Sequence, residues 1–158
     1  MTKPPFHTVR SLYWAKPCRP PPGREHEPRR KGTKAQGLAY ERAIAQALAP
    51  QVSKLRRGQW FEFCDSGVVR HCQVDFVFPL ADEAVILEAK LTDTDRAYGQ
   101  LRGLYFPVLA LALGVPVRGV VVARHLRSDS GRPFGSIREA LSAPGIPLVH
   151  WIGTGPLW

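Results

Sequence analysis

Two short segments of the chain carry acidic and basic side chains inside apolar runs. The segment QVDFVF holds Asp75, and the segment VILEAK ends in Glu88 and Lys90. Two carboxylates placed close together repel each other and need a compensating cation. Lys90 supplies one positive charge, and a hard divalent ion such as Mg²⁺, bound through carboxylate oxygens and water, would supply the rest. These residue types therefore indicate a divalent-metal site with a lysine beside it.

Both segments have the pattern of β-strands, Val68–Phe78 and Val85–Lys90, joined by a turn at Ala81–Asp82. A hairpin centred on that turn forms three facing pairs: Asp75 with Glu88, Gln73 with Lys90, and Val77 with Ile86. Because side chains alternate along a strand, these six share one face. The opposite face is then wholly apolar and comprises Val74, Phe76, Phe78, Val85, Leu87 and Ala89. A simple salt-bridge cluster on an edge strand is the alternative interpretation of the polar face.

Two predicted helices add one polar side chain each. In the first helix, Ala35–Ala49, Glu41 lies on or beside an apolar stripe that should face the sheet. It therefore either joins the acidic pair or points to solvent. In the second helix, from Asp93 or Thr94 to about Leu113, Gln100 lies beside the apolar stripe. It is interpreted either as a contact for a phosphate or a metal-bound water, or as a solvated residue.

The other elements determine the predicted fold. Further strands are predicted at Trp60–Cys64, Val117–Ala123 and Pro147–Ile152, and a short helix at Ser136–Ser142. Pro107 should kink or break the second helix. The order of helix, three strands, helix and strand predicts an α/β fold with a mixed central sheet flanked by helices. Residues 35–158 are expected to form a single domain.

Residues 1–34 form a basic, proline-rich arm in this interpretation. They hold seven of the fifteen prolines and nine Lys or Arg against two Glu, in a chain of net charge +9. We expect the arm to be poorly ordered or surface-bound, anchored in part by Tyr13 and Trp14. A basic arm suits a polyanion, although a solvated linker is the alternative. The predicted nucleic-acid contacts are Arg29, Arg30, Lys31, Lys34, Lys54, Arg56 and Arg57.

The three cysteines are too few for a disulfide framework, which favours a reducing compartment. Cys64, His71 and Cys72 are of metal-ligand type, but no second ligand pair follows at a suitable spacing. Small buried thiols are thus favoured over a zinc site. The sequence shows no apolar run long enough to span a membrane and no secretory signal at its N-terminus. We therefore expect a cytoplasmic protein without membrane contacts.

The motifs resemble those of the PD-(D/E)xK phosphodiesterase superfamily, which includes restriction endonucleases, RecB-like nucleases and phage or archaeal junction resolvases. Asp75 resembles the first-strand acid, Glu88-Ala89-Lys90 the (D/E)xK motif and Glu41 the helix acid. Gln100 resembles the glutamine of RecB-like members, which a tyrosine follows. Here Tyr105 lies five residues on rather than four, and Val74 replaces the proline that often precedes the aspartate. The resemblance covers roughly residues 35–125.

The resemblance implies a restriction-endonuclease-like core in α-β-β-β-α-β order and a Mg²⁺-dependent endonuclease, with Mn²⁺ as a substitute. Asp75, Glu88, the Ala89 carbonyl and Glu41 would hold the metal, and Lys90 would position or help to deprotonate a water. The product would be DNA with 5′-phosphate and 3′-hydroxyl ends.

The implied substrate is duplex or branched DNA, cut by structure-selective or general processing in recombination, repair or phage DNA metabolism. The setting would be the cytoplasm of a bacterium or a phage-infected host. Cutting two strands needs two sites, which is compatible with a homodimer. A non-catalytic nucleic-acid-binding module and an accessory subunit of a larger DNA-processing complex are the alternatives. Retention of Asp75, Glu88 and Lys90 together favours the enzyme.

Overall fold

The computed structural model describes residues 6–25 and 32–158. Six strands form one sheet in the order β1 to β6, antiparallel from β1 to β4 and parallel from β4 to β6. This confirms the predicted α/β fold with a mixed sheet and flanking helices. The elements are β1 Leu12–Cys18, α1 Thr33–Leu48, β2 Arg56–Asp65, β3 Val68–Leu80, β4 Glu83–Thr92, α2 Asp95–Gln100, a π-helical turn Leu101–Tyr105, α3 Phe106–Leu113, β5 Val117–His125, α4 Ile137–Ala140 and β6 Leu148–His150.

Helices pack on both sides of the sheet and bury two apolar clusters. On one side, the α1 residues Tyr40, Ile44 and Leu48 pack with Phe76 and Phe78 of β3. On the other side, the π turn and α3 pack against β2, β3 and β5 through Leu101, Leu104, Val108, Phe61 and Phe63. The sheet is thereby held between two helical layers. No helix within the described ranges has the length and apolarity needed to cross a bilayer.

Part of the predicted basic arm belongs to the sheet. Leu12–Cys18 is strand β1, which pairs with β2 at the edge of the sheet. The prolines exclude a central strand, but an edge strand tolerates Pro17 because one side of its backbone forms no ladder. Buried Asp65 fixes the segment before β1, since its carboxylate accepts the Ser11 amide at 2.7 Å and contacts His7 Nε2 at 2.6 Å. The predicted contacts Arg29, Arg30 and Lys31 lie outside the described residues.

The second predicted helix is divided before Pro107 and not at it. The chain widens into a π turn, in which the Phe106 amide donates to the Leu101 carbonyl. Pro107 lacks the N–H that would bind the Gly103 carbonyl four residues earlier. The Val9 amide donates to that carbonyl instead, at 2.9 Å. Pro107 therefore leaves the Gly103 carbonyl free to accept the Val9 amide, and this hydrogen bond joins the segment before β1 to the helix.

The β3–β4 hairpin has the predicted register, but its ladder is shorter than predicted. Five pairs form, from Leu80 with Glu83 to Phe76 with Leu87. Beyond them, β3 pairs only with β2 and β4 only with β5. The ladder does not extend to the predicted pairs of Asp75 with Glu88 and Gln73 with Lys90. The sheet therefore forks where the predicted functional residues begin.

Gly58 lies on β2 opposite Asp75, between the pairs Arg57–Phe76 and Gln59–Val74. Its φ of 65° belongs to the left-handed region that favours glycine. Strand β3 changes sides at this level, because Val74 packs in the α3 cluster whereas Phe76 packs in the α1 cluster. The predicted single apolar face is thus divided between the two cores, since the alternation of side chains is interrupted at the fork.

Gly58→Ala should lower the free energy of unfolding by about 1–2 kcal/mol, because an L-residue is strained at this φ. A Cβ would also stand 3.0 Å from Gln73 Nε2. Urea denaturation measures the effect as a lower midpoint at unchanged slope. The matched control is Gly37→Ala in α1, where a Cβ meets nothing within 4 Å. It should stabilise by about 0.5–1 kcal/mol through helix propensity. Equal effects of the two variants would contradict a strained conformation at Gly58.

Candidate active site

The fork brings two carboxylates and a lysine together. In a continued ladder the Ala89 amide would meet the backbone of Val74. It donates instead to Asp75 Oδ2 at 2.8 Å. On the same strand, Lys90 Nζ lies 2.7 Å from Glu88 Oε1. The backbone between Glu88 and Lys90 thus fixes the Asp75 carboxylate beside the acidic residue and the lysine.

Burial and repulsion make this carboxylate pair costly when both members are ionised. Glu88 is 3% exposed, and burial raises its pKa despite the nearby ammonium of Lys90. Burial, followed by the negative charge of Glu88, raises the pKa of Asp75 to about 7. Glu88 Oε2 is buried and receives no hydrogen bond from the described residues. An unsatisfied buried acceptor beside a second carboxylate is a suitable ligand for a cation.

Lys90 is held in its charged form. Burial alone would lower the pKa of its ammonium, but the charge and hydrogen bond of Glu88, together with the charge of Asp75, raise it above the ordinary value. A lysine with a raised pKa donates hydrogen bonds at neutral pH and does not accept a proton. Of the two predicted roles of Lys90, a raised pKa is compatible with positioning a group and unfavourable for accepting a proton.

Glu41 faces the same region without completing a metal cage. Its negative charge raises the pKa of Glu88, so the two carboxylates are near neighbours. Glu41 Oε2 lies 3.3 Å from Nη2 of Arg57, which the sequence assigned to nucleic acid. Across residues 6–25 and 32–158, no three His, Cys, Asp or Glu side chains form a group that could hold a metal. Glu41 therefore does not form a three-acid site with Asp75 and Glu88 in this conformation.

The same finding applies to the alternative zinc site at Cys64, His71 and Cys72. These side chains form no metal-binding group, and the three cysteines of the chain are free thiols. Cys72 is buried in the α3 cluster, while His71 Nε2 contacts Glu62 Oε2 at 3.1 Å. Of the three thiols only that of Cys72 is buried, while those of Cys18 and Cys64 are half-buried.

Gln100 contacts a tyrosine and not the carboxylates. Its Nε2 donates to the Tyr105 hydroxyl at 2.7 Å, and that hydroxyl donates to the Gln73 carbonyl at 2.9 Å. The π turn explains the five-residue spacing, because its i to i+5 hydrogen bonds align residues five apart. Burial, then the charges of Glu88 and Asp75, raise the pKa of Tyr105, which places its hydroxyl near the pair. The five-residue spacing is visible in the sequence, but the π turn that brings the Tyr105 hydroxyl to Gln100 is not.

A second charged network, which the sequence analysis did not identify, holds the loop after β4. The buried carboxylate of Asp93 accepts the Ser130 hydroxyl at 2.8 Å and lies 3.9 Å from the Arg127 guanidinium. Arg127 also contacts Asp95, the first residue of α2, at 3.0 Å. These contacts join the carboxyl ends of β4 and β5, directly beyond Lys90. They fix the start of the helix that carries Gln100.

The predicted nucleic-acid contacts have different environments. Lys34, Lys54 and Arg56 are exposed, whereas Arg57 is half-buried beside Glu41. Lys54 and Arg56 line a groove beside the hairpin turn at 79–83, towards the end of the hairpin away from the fork. Among the predicted cations that the structure describes, Arg57 lies near the acidic residues, through Glu41, while Lys54 and Arg56 lie at the far end of the hairpin.

No protein-family model and no curated protein sequence matches the chain. Among solved structures, it is similar to the protein VC1899 from Vibrio cholerae, at 17% identity and a TM-score of 0.45, over 70% of this chain and 28% of that one. It is also similar to a type III CRISPR defence DNA nuclease activated by cyclic oligoadenylate. There the identity is 21% and the TM-score 0.41, over 75% of this chain and 17% of that one. The chain thus spans less than a third of either structure.

Asp75→Asn should stabilise the metal-free protein at high pH. The pKa of Asp75 is about 7 in the folded chain and about 3.9 in an unfolded one. Between these values the folded state holds a proton that the unfolded state lacks, so the stability of the wild type falls as pH rises. In the presence of a chelator, the variant should melt several degrees above the wild type at pH 8. At pH 4 the two proteins should melt at the same temperature.

The control for this prediction is Asp82→Asn, which removes a carboxylate from the exposed hairpin turn. Thermal melting of the three proteins at both pH values measures the differences. An Asp75→Asn protein that melts below the wild type at pH 8 would contradict the inferred repulsion.

Proposed function

We propose that this protein is a divalent-metal-dependent nuclease of the PD-(D/E)xK type, which hydrolyses the DNA backbone to 5′-phosphate and 3′-hydroxyl ends. The observation that carries the proposal is the pair formed by half-buried Asp75 and buried Glu88 at the fork, with Lys90 Nζ 2.7 Å from Glu88 Oε1. Two neighbouring acids, one of them buried, destabilise a fold, and a structural role would be served as well by apolar residues. A cation site gives the pair a function.

The residues present fit a hard cation. Asp75 and Glu88 would hold it together with the Ala89 carbonyl. In an extended strand the N–H and C=O of one residue point to the same side, and the Ala89 N–H points to Asp75. Mg²⁺ takes one or two carboxylates and keeps the rest of its shell for water and phosphate oxygens, so a third acid is not required. When bound, Mg²⁺ or Mn²⁺ supplies Lewis-acid stabilisation of charge on a phosphate.

Lys90 would orient a water and stabilise negative charge at the reacting phosphate. Its charged ammonium is anchored on Glu88 and has donors left for a second partner. Tyr105 is proposed as a positioning residue, because its hydroxyl ties the helix to β3 at Gln73. Gln100 would act through Tyr105. Glu41 would act at longer range, through a negative charge that strengthens cation binding.

The proposed substrate is DNA, duplex or branched, in recombination, repair or phage DNA metabolism in the cytoplasm. The net charge of +9 and the exposed Lys34, Lys54 and Arg56 support a polyanionic partner. Backbone contacts of this kind give salt-sensitive binding with little dependence on base sequence. A homodimer would supply the two sites needed to cut both strands.

Cleavage of supercoiled plasmid in Mg²⁺ or Mn²⁺ tests the proposal. Asp75→Asn, Glu88→Gln and Lys90→Ala should each lower the rate at least about 100-fold, because each removes a ligand or a preorganised charge. The matched control is Glu83→Gln, which removes a carboxylate from the other end of β4 and should cleave as the wild type does. Agarose gels resolve the nicked and linear products.

Equal cleavage by wild type and all three variants would reject the proposed site. Absence of cleavage by the wild type on plasmid, single-stranded, flap and four-way-junction DNA would instead favour a non-catalytic binding module or an accessory subunit. The DNA panel also identifies the preferred substrate.

Cation binding is measurable without catalysis. Mg²⁺ or Mn²⁺ should raise the melting temperature of the wild type at pH 8 by several degrees, since a ligand that binds only the folded state stabilises it. Asp75→Asn and Glu88→Gln should abolish this rise, and Glu83→Gln should keep it. A rise of equal size in all four proteins would place the cation elsewhere.

A further inference from the structure

Strands β1, β2 and β3 carry a second exposed surface, which we name the outer face. Three rows of paired positions form it: Trp14, Cys64 and Val69; Lys16, Glu62 and His71; and Cys18, Trp60 and Gln73. Its side chains contact one another across the strands. Lys16 Nζ lies 3.3 Å from Glu62 Oε1 and 5.5 Å from the centre of the Trp14 ring. These contacts show that the side chains lie on one side of the sheet.

The outer face is uncovered by any described helix. The reverse side of the same strands holds Phe61 and Phe63, which are fully buried in the α3 cluster. On the outer face, by contrast, Val69 is 52% exposed and Trp14 is 37% exposed. Trp60 is half-buried on the same face. Exposed apolar and aromatic side chains that are grouped on one face mark an interaction site.

This surface is continuous with the candidate active site. Along β3, Val69 and His71 are followed on the same alternation by exposed Gln73, and Asp75 lies two residues further on, at the fork where the alternation is interrupted. Trp60 pairs with Gln73, next to the level of the fork. Val69 lies six residues from Asp75, a length of about 20 Å along the strand. A chain bound at the fork could therefore continue over the outer face.

The chemistry of the outer face suits unpaired nucleotides. Tryptophan rings stack on bases of any sequence, and lysine contacts the phosphates between them. Duplex DNA keeps its bases inside the helix and offers no base face to Trp14 or Trp60. Extension of the sheet by a second copy at the β1 edge is disfavoured, because Lys16, Pro17 and the flanking Arg10 and Arg19 make edge-to-edge pairing of two such strands repulsive.

We propose that the outer face binds single-stranded DNA that leads away from the scissile phosphate. The proposal rests on the proposed nuclease function for the position of that phosphate. The proposal predicts that the preferred substrate has an unpaired arm, such as a flap, an overhang or a single strand. Trp14 and Trp60 stack on its bases, and Lys16 contacts its backbone.

The test measures DNA binding by the full chain in EDTA, with fluorescence anisotropy as the readout. The probes are a labelled oligothymidylate of about 15 nucleotides and a blunt duplex of the same length. Trp14→Ala should weaken binding to the single strand at least about fivefold, the lower limit of one base–aromatic stack. Trp14→Phe should retain most of the affinity, and the affinity for the duplex should not change in either variant.

Val69→Glu is the second variant, since it adds a negative charge to the outer face at an exposed position. It should weaken single-strand binding as Trp14→Ala does. Ile152→Ala is the control, because it removes an exposed apolar side chain beyond β6, at the opposite edge of the sheet. It should bind as the wild type does. Thermal melting verifies that each variant is folded.

The proposal would be overturned if folded Trp14→Ala or Val69→Glu bound the single strand as tightly as the wild type does. It would also be overturned if the wild type bound the duplex more tightly than the single strand. Because binding is measured without metal, its outcome is separate from that of cleavage. A protein that binds the single strand through Trp14 yet cleaves no DNA in Mg²⁺ would reject the nuclease and leave the binding surface.

Discussion

The hydrogen bond from the Ala89 amide to the Asp75 carboxylate is the contact on which the candidate site depends. It takes the place of a ladder bond between β3 and β4, and the two strands separate from that level onward. Strand β3 then continues with β2 alone, which leaves the outer face of β1 to β3 without a helical cover. Glu88 and Lys90 remain on β4 beside the opening. The hydrogen bond from Ala89 to Asp75 thus lies where the acidic pair meets the part of the sheet that carries the outer face.

The carboxylate pair of the candidate site lowers the stability of the folded chain when both members are ionised. Burial and mutual repulsion raise the pKa of both carboxylates, and one oxygen of Glu88 has no donor among the described residues. The surroundings hold the pair in place: Lys90 binds Glu88, the π turn brings Tyr105 to the Gln73 carbonyl, and Asp93 with Arg127 fixes the loop beyond. Preorganised charge that is costly without a ligand is typical of sites that bind a cation or stabilise a transition state.

The sequence predicts the parts of this arrangement that depend on strand periodicity and turn position. The turn at Ala81–Asp82 was sufficient for the hairpin register of the five pairs that form, but the ladder ends at Phe76 with Leu87, before the predicted pair of Asp75 with Glu88. What escaped prediction depends on contacts between distant segments. Strand β1 has no periodicity of its own and is fixed by Asp65, and the Gly103 carbonyl that Pro107 leaves without a helical donor binds the distant Val9 amide. The partner of Glu41 depends on how α1 is placed on the sheet. An apolar stripe shows which side of the helix is buried but does not predict whether Glu41 contacts Asp75 or Arg57.

Anomalous diffraction from a crystal of the wild-type chain grown with Mn²⁺ tests the central claim most directly, because it locates the cation without reference to activity. We expect an anomalous peak at the fork, about 2.0–2.2 Å from an oxygen of Asp75, from an oxygen of Glu88 and from the Ala89 carbonyl. A peak elsewhere, with Asp75 and Glu88 still sharing the fork without a metal, would contradict the assignment of the acidic pair as a cation site.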